Sequence, residues 1–471
     1  MNYEARRQSV FGQMEDNSLL ILYSGAALHR SADAYHHFEE NKNFFYLTGL
    51  RRENMILLMK KAGGSESAML FIEQADPSAE RWTGKMVTVP EAKEISGIED
   101  VRFLDRFKPL LQYMLNGNDF KVCYFDCHRN RLGDLPDYNL VKAQQFQKDF
   151  PGITVRNIWR TVAALRMQKD SDEVAKISQA IEVTRQGLEA VMSTLTPGMK
   201  EYQAQADFEY IIRRGGAEWT AFPTIAGSGM NGTMLHYDTN RETMEDGTLV
   251  LLDLGARVDG YNSDITRTYP VNGRFTERQK QVYDIVLAAN RKIVEVAKPG
   301  MTTKELNEVC KDVLADGLMK LGLIKNSVEI SQYYMHGVSH HLGIDVHDVT
   351  VDSNSRLRPG AIISDEPGLY IDEWEIGIRI EDDVLITEDG AVCLSEDIIR
   401  TTEDIEAYMA EHKKKGKVSG AIKAVGADIK DIGTTFAKGD WKTRVSFLIM
   451  GFGQLTRKQW VRGIAFLGSE V

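Results

Sequence analysis

Only four cysteines occur in the 471 residues, and no apolar run reaches the roughly 18 residues that a membrane-spanning helix needs. The first scarcity excludes a small disulfide-stapled scaffold and points to a reducing, cytoplasmic compartment. The second, with no continuous apolar stretch before Leu19, argues against secretion and against a spanning segment. Glycine (39) and proline (11) are too few for collagen-like or low-complexity chains, and 43% hydrophobic with 27% charged residues is an ordinary globular composition. At about 150 residues per domain, the length corresponds to about three units, or to one small domain and one large one.

Positive charge is also short. The chain is net -11, and residues 411–471 carry 12 Lys+Arg against 5 Asp+Glu, which leaves 45 against 63 in the remainder. So acidic a body repels phosphate backbones, and no nucleic-acid partner is expected.

What is present falls into segments. LLILYSG (Leu19 to Gly25), NMILLMKK (Asn54 to Lys61), AMLFIE (Ala68 to Glu73) and KVCYFDC (Lys121 to Cys127) are short apolar runs between polar breaks, which predicts a compact α/β domain over residues 1–160. LRMQKDSDEV (Leu165 to Val174) is charged and suits a boundary. From there a plan repeats: two runs at helical spacing flank a Pro-Gly-Met break, first at Pro197 to Met199 and again at Pro299 to Met301. A His follows each break, His236 after 39 residues and His340 after 41. Each half then has Gly, a hydrophobic strand and an acid six positions on, Gly247 to Asp253 and Gly360 to Glu366, with a second acid at Asp264 and Glu381. This predicts a pseudo-twofold domain over 170–408 with a site where the halves meet.

Within LVLLDLGARVDGYNSDITRTYP, Asp259-Gly260 is the favoured type I′ hairpin turn. If Val258 pairs with Tyr261, Asp253 lies opposite Thr266 and Asp264 opposite Gly255. Asp253 and Asp264 then share a face as diagonal neighbours, about 7 to 8 Å apart at the backbone, and can reach one ion. Carboxylates in such strands need a cation or a proton, and two divalent cations about 3.5 to 4 Å apart can share bridging carboxylates. The competing account pairs Asp253 with Arg267 or Arg257.

The motifs LLDLG and DITRTYP, HGVSHHLGIDVHD (His336 to Asp348), DEPGLYI (Asp365 to Ile371) and GIRIEDDVLIT (Gly377 to Thr387), with FFYLTGL (Phe44 to Leu50) near the start, closely resemble the Xaa-Pro aminopeptidases (aminopeptidase P) of the pita-bread metallopeptidase family. The resemblance spans roughly residues 1 to 410. It implies a creatinase-type N-terminal α/β domain, a pita-bread catalytic domain and hydrolysis of the N-terminal Xaa-Pro bond of peptides. It further implies two divalent cations on Asp253, Asp264, His340, Glu366 and Glu381, with Asp264 and Glu381 bridging. Oxygen-rich donors with one His suit Mn²⁺, and Co²⁺, Zn²⁺ or Fe²⁺ fit the same set. By the same resemblance Glu366, His236 and His347 are the catalytic residues. Glu366 would move the proton, and His236 and His347 would face the developing charge. His336 would bind the leaving-side residue, and Arg379, counted with the substrate-facing groups, would orient a carboxylate beside Tyr370. Peptides with proline second are the implied partners, and a homo-oligomer is a family expectation.

Other readings compete with this one. A prolidase shares the ligands but cleaves only dipeptides, a methionine aminopeptidase lacks the N-terminal 160 residues, and a non-catalytic interaction protein would bind metal without turnover. GSGMNG (Gly227 to Gly232) matches a dinucleotide fingerprint, which requires a strand before it and a helix after. Cys123 and Cys127, followed by His128, lack a second Cys pair and are read as strand cysteines rather than zinc ligands; His36 and His37 are read as surface residues. The basic tail 411–471 departs from the family. From about Lys417 it resembles the cytoplasmic start of a sugar ABC-transporter permease, which suggests a fused foreign segment with no membrane contact expected.

Overall fold

The computed structural model describes residues 1–117, 120–129, 131–352 and 354–414; the basic tail beyond 414, with its permease-like stretch, lies outside them. Its N-terminal sheet contains β1 (Ser18–Tyr23), β2 (Ile56–Ala62), β3 (Ser65–Ile72), β4 (Asp100–Phe103), β5 (Val122–Phe125) and β6 (Thr154–Asn157), in the order β4-β3-β2-β1-β5-β6. Strands β1, β2, β3 and β5 are the four apolar runs. The edge strands β4 and β6 carry mostly half-exposed or exposed residues, so they lack the apolar signal by which a strand is read. In β1, Leu20 and Leu22 enter one core and Leu19 and Ile21 the other, because helices or the second half of the chain cover both faces.

Two helix pairs follow: α1 (Ser171–Thr194) with α2 (Glu201–Arg214), and α3 (Glu277–Val296) with α4 (Thr303–Lys320). Reciprocal side-chain caps start three of them, Asp170 with Glu173, Thr276 with Gln279 and Thr302 with Glu305. The Pro-Gly-Met breaks join each pair, and Gly198 (φ +88°) and Gly300 (φ +90°) occupy the left-handed region there. Each break is stitched forward in the same way. Gly198 N–H donates to Met244 O at 2.9 Å and Met244 N–H returns to Met199 O at 2.8 Å; Gly300 and Leu357 repeat this at 2.9 Å, and Leu357 and Met301 at 2.7 Å. The repeat read from the sequence is therefore a backbone repeat.

Strands β7 (Ile225–Ser228), β8 (Leu249–Leu254) and β9 (Ile265–Pro270) belong to the first half, and β10 (Ile362–Asp365), β11 (Gly368–Ile371), β12 (Ile376–Arg379) and β13 (Asp382–Ile386) to the second. Val258 pairs with Tyr261 and Asp253 with Thr266. Asp259 (φ +48°) and Gly260 (φ +84°) supply the two positive φ angles of the type I′ turn.

The matched histidines are not structural counterparts. The stretch holding His340 lies along β10, with Ser364 N–H donating to His340 O at 2.9 Å. In the first half β7 takes that position, with Gly227 paired to Leu251. Ser364 and Leu251 each lie four residues past their glycines, Gly360 and Gly247, so the counterpart of His340 is Gly227. His236 comes instead from the chain beyond the short turn Gly229–Thr233.

The halves meet along β9. Asp264 N–H donates to Asp383 Oδ2 (3.2 Å), Glu381 N–H to Thr266 O (3.0 Å), Thr266 Oγ1 to Glu381 Oε2 (2.7 Å) and Thr268 Oγ1 to Arg379 O (3.1 Å). Alternate residues on one strand thus face alternate residues on the other, and Asp264 and Glu381 come together. Behind this seam Arg267 and Asp382, both fully buried, pair at 2.7 Å. The same guanidinium donates to Glu381 O (2.6 Å) and Ile399 O (3.2 Å). Removing Asp382 leaves that cation buried and uncompensated, a class of change that costs about 3–5 kcal/mol. Asp382→Ala is expected to lower the urea-unfolding free energy by that amount, and an unchanged midpoint would show the pair to be dispensable.

The charged stretch at 165–174 is partly interior. Arg166, Lys169 and Glu173 are buried, and the N-terminal unit packs on the first of the repeated halves through ion pairs. Arg6 meets Asp170 (2.7 Å) and Glu173 (3.0 Å), and Arg257 meets Glu39 (2.7 Å) and Glu40 (3.1 Å).

Candidate metal centre

A cavity of ≈ 630 Å³ opens over the seam, and Asp253, Asp264, His340, Glu366 and Glu381 all line it. Asp253 is supplied by β8, Asp264 by the residue before β9, Glu366 by the residue after β10 and Glu381 by the link from β12 to β13. Their ligand atoms form two overlapping groups, Asp253–Asp264–Glu381 and His340–Glu366–Glu381, each within 4.8 Å, and a third group joins Asp264, His340 and His347. All five residues expected as ligands are brought together. His347 packs its ring on His340 at 4.3 Å between centroids, while His236 and His336 line the same cavity without entering a ligand group.

Hydrogen bonds set which ring atoms face the cavity. The His341 carbonyl can only accept, so His340 Nδ1 donates to it at 3.0 Å and Nε2 turns to Asp264 (3.4 Å) and Glu366 (3.5 Å). In the same way His336 Nδ1 donates to Gly337 O (2.8 Å), and its Nε2 accepts from the Tyr370 hydroxyl (2.8 Å). That hydroxyl accepts from Arg379 Nη1 (3.0 Å), and Arg379 Nη2 grips Asp253 at 2.5 Å while its Nε donates to Thr266 Oγ1 at 3.1 Å. Each nitrogen of Arg379 thus makes a hydrogen bond to protein, and the guanidinium holds Asp253 while also lining the cavity. It also answers the competing account: Arg267 goes to Asp382 and Arg257 to Glu39 and Glu40, neither to Asp253.

Four carboxyl groups in so small a volume resist ionising together. Burial, reinforced by Asp264 and resisted by Arg379, lifts Asp253 to about 6. Burial, opposed by His340 and Arg379, lifts Glu366 to about 7, and Glu381 is driven well above the usual range by burial and by Asp264, Glu366 and Asp253. His340 moves the other way: burial disfavours its charge, yet Asp264 and Glu366 raise it to about 9. Burial holds His336 down at about 4, a neutral ring. Asp253 Oδ1 is buried without a hydrogen-bond partner. Oxygen donors, one imidazole nitrogen and surplus buried negative charge fit divalent cations.

Sequence reading missed several supports. Thr266 fixes Glu381, Asp383 accepts from the Asp264 backbone, and Ser364 Oγ bridges His340 N–H (3.0 Å) and Glu366 Oε1 (3.2 Å); none carries a sequence signal stronger than its place beside a ligand. GSGMNG follows a strand but continues into the turn Gly229–Thr233, not an α-helix, so the fingerprint fails. Its glycines serve backbone approach instead, since a Cβ on Gly377 would sit 1.8 Å from Gly232 O. His36 and His37 are exposed. Cys123 is buried on β5, Cys127 lies beyond its end, and His128 stacks on Trp159; none belongs to a ligand group among the described residues.

The model of metallopeptidase family M24 matches residues 175–388, and that of the aminopeptidase P N-terminal domain matches residues 3–124. The chain is 34% identical over 439 residues to the Xaa-Pro aminopeptidase of Escherichia coli K12, covering 88% of this chain and 98% of that one. It is similar to the structure of E. coli aminopeptidase P with the inhibitor Pro-Leu, at 33% identity and TM-score 0.80, covering 88% and 98% of the two chains. A Bacillus anthracis structure assigned provisionally as an aminopeptidase P aligns at 42% identity and TM-score 0.86, covering 87% and 98%.

Because Asp253 at about 6 and Glu366 at about 7 hold protons where a cation must displace them, divalent-metal affinity is expected to rise as pH increases from 6 to 8, measured by calorimetry with proton release. Without metal the sign for stability is opposite. Glu366 and His340 have raised folded pKa values, so the stability they contribute is full below their unfolded values and is lost as pH rises through about 7 and about 9. The melting temperature of EDTA-dialysed protein should fall from pH 5 to 9 and recover with Mn²⁺; a flat profile would contradict this.

Proposed function

The chain belongs to metallopeptidase family M24, with an aminopeptidase P N-terminal domain ahead of the catalytic one, and from that premise we infer that it is a metal-dependent Xaa-Pro aminopeptidase. It hydrolyses the bond between the first residue of a peptide and a proline in second position. One observation carries the reading: five ligand-type side chains meet in one cavity of a chain 34% identical to a Xaa-Pro aminopeptidase over 98% of that relative's length. We take the N-terminal domain as residues 1–160 and the catalytic domain as 170–408.

In this reading Asp253, Asp264, His340, Glu366 and Glu381 would together hold two divalent cations. Bound cations would supply Lewis acidity, lowering the pKa of water and polarising the scissile carbonyl. Manganese is our choice among Mn²⁺, Co²⁺, Zn²⁺ and Fe²⁺, on the oxygen-rich donor set. Glu366, held beside Ser364 Oγ and His340 in the cavity, takes the proton from water and passes it to the leaving proline nitrogen. His236 and His347 aim donors at the carbonyl oxygen as it gains charge. His336, with both nitrogens engaged, offers the leaving-side residue a ring surface rather than a hydrogen bond. An Xaa-Pro bond has no N–H to satisfy, and the apolar wall of Phe222, Pro223, Ile225, Leu235 and Val346 suits a pyrrolidine ring.

The four cysteines are free thiols, which suits a cytoplasmic location, and no helix among the described residues is long and apolar enough to cross a membrane. A homo-oligomer completes the proposal and is checked by light scattering.

The test is release of the first residue from Xaa-Pro-Yaa peptides. Wild type with Mn²⁺ should cleave them, EDTA should abolish cleavage, and Asp264→Ala should lose about 100-fold or more, beyond the 10–100-fold typical of outer-shell partners. Cleavage confined to dipeptides would reassign the chain to the prolidases, and no cleavage with any divalent cation would overturn the reading.

A further inference from the structure

We infer that Arg166 is a positioning residue for His347, and that through this guanidinium the N-terminal unit holds part of the catalytic constellation in place; the inference rests on the reading above, in which His347 faces the reacting carbonyl.

His347 is exposed on a stretch, residues 343–350, that has no helix or strand of its own, so local backbone structure does not fix its ring. Two carboxylates bracket it, Asp345 two residues before and Asp348 immediately after. Arg166 Nη2 reaches both, Asp345 Oδ2 at 2.6 Å and Asp348 Oδ1 at 2.5 Å, and Lys169 Nζ takes the second oxygen of Asp348 at 3.0 Å. The side chains of Arg166, Asp348 and Lys169 are only 3%, 1% and 1% exposed, so water does not loosen the grip. The planar guanidinium fixes direction as well as charge.

The other end of the guanidinium is anchored across the molecule. Arg166 Nη1 donates to Asn43 Oδ1 at 2.9 Å, and Asn43 Nδ2 donates to Asp126 Oδ2 at 2.9 Å, just past β5 of the N-terminal sheet. The near end also leads to a ligand. Asp348 N–H donates to His341 O at 2.7 Å, and the same carbonyl accepts from His340 Nδ1. There is no slack beneath, since a Cβ on Gly343 would lie 2.3 Å from Asp348 Oδ2. A catalytic donor displaced by about 1 Å can cost 10²-fold in rate, and this chain of contacts resists that displacement from both sides of His347.

A plain structural ion pair would affect stability alone, so the test reads something else. Asp345 is 37% exposed at its side chain, and D345N should fold. With the Mn²⁺-loaded full chain and an Xaa-Pro-Yaa peptide, D345N is expected to lower kcat about tenfold, with KM within about twofold and metal content unchanged. Arg166→Lys, which keeps the charge but loses the fork, should fall further. In a His347→Ala background D345N should add nothing, because both changes act through one ring. A readout free of activity runs beside these: the Cε1–H signal of His347 in histidine-labelled protein, assigned by its loss in His347→Ala, should shift in D345N. A wild type that cleaves no Xaa-Pro peptide while that signal shifts overturns the functional reading and leaves the positioning standing. An unmoved signal, an unchanged kcat, or losses that multiply in the double variant overturn the positioning.

Discussion

Buried negative charge is the constraint on which the rest of this structure depends. Asp253, Asp264, Glu366 and Glu381 converge where two β layers meet, and one imidazole and one guanidinium cannot neutralise them all. Carboxyl groups so placed either keep protons or take cations. The raised pKa values of Asp253, Glu366 and Glu381 express the first option, and divalent ions express the second. Cations held there would supply the Lewis acidity that hydrolysis needs.

Holding like charges together requires a stiff frame, and the frame comes from duplication. Two helix pairs, each broken at Pro-Gly-Met and stitched forward by the same backbone bonds, present two strand systems that close on one another along β9. The seam is set by polar pairs two residues apart, Asp264 with Asp383, Thr266 with Glu381 and Thr268 with Arg379. Arg267 and Asp382 lock it from behind. Where β12 crosses the turn at Gly232, only glycine lets the backbones approach. The halves are alike in backbone but not in side chain: His340 stands where the first half has Gly227, so duplication supplies the frame and divergence supplies the asymmetric ligand set.

The N-terminal unit shares in this frame. Arg6, Arg51 and Arg257 pair with acids across the boundary, and Arg166 carries the connection to the loop of His347. A cavity-lining histidine on an irregular loop is held more firmly if that loop is tied to a separate folded body.

Much of this was legible in the sequence, for definite reasons. Alternating and continuous apolar runs marked β1, β2, β3 and β5; helical spacing around Pro-Gly-Met marked the two helix pairs; and the Asp-Gly turn fixed the register that puts Asp253 and Asp264 on one face. Motif resemblance then named five side chains that the cavity brings together. These are local or short-range properties, set by backbone sterics and by which residues must avoid water. Tertiary structure alone decided the rest. Similar spacing, 39 and 41 residues, made His236 and His340 look like counterparts, but only strand pairing assigns counterparts. Arg267 and Arg257 were the candidates to pair with Asp253, but packing sends them to other acids and brings Arg379 to it. The charged stretch that suits a boundary buries Arg166 and Lys169, because a charge can be interior whenever a partner distant in the chain arrives to meet it, and sequence order carries no record of which partner that is.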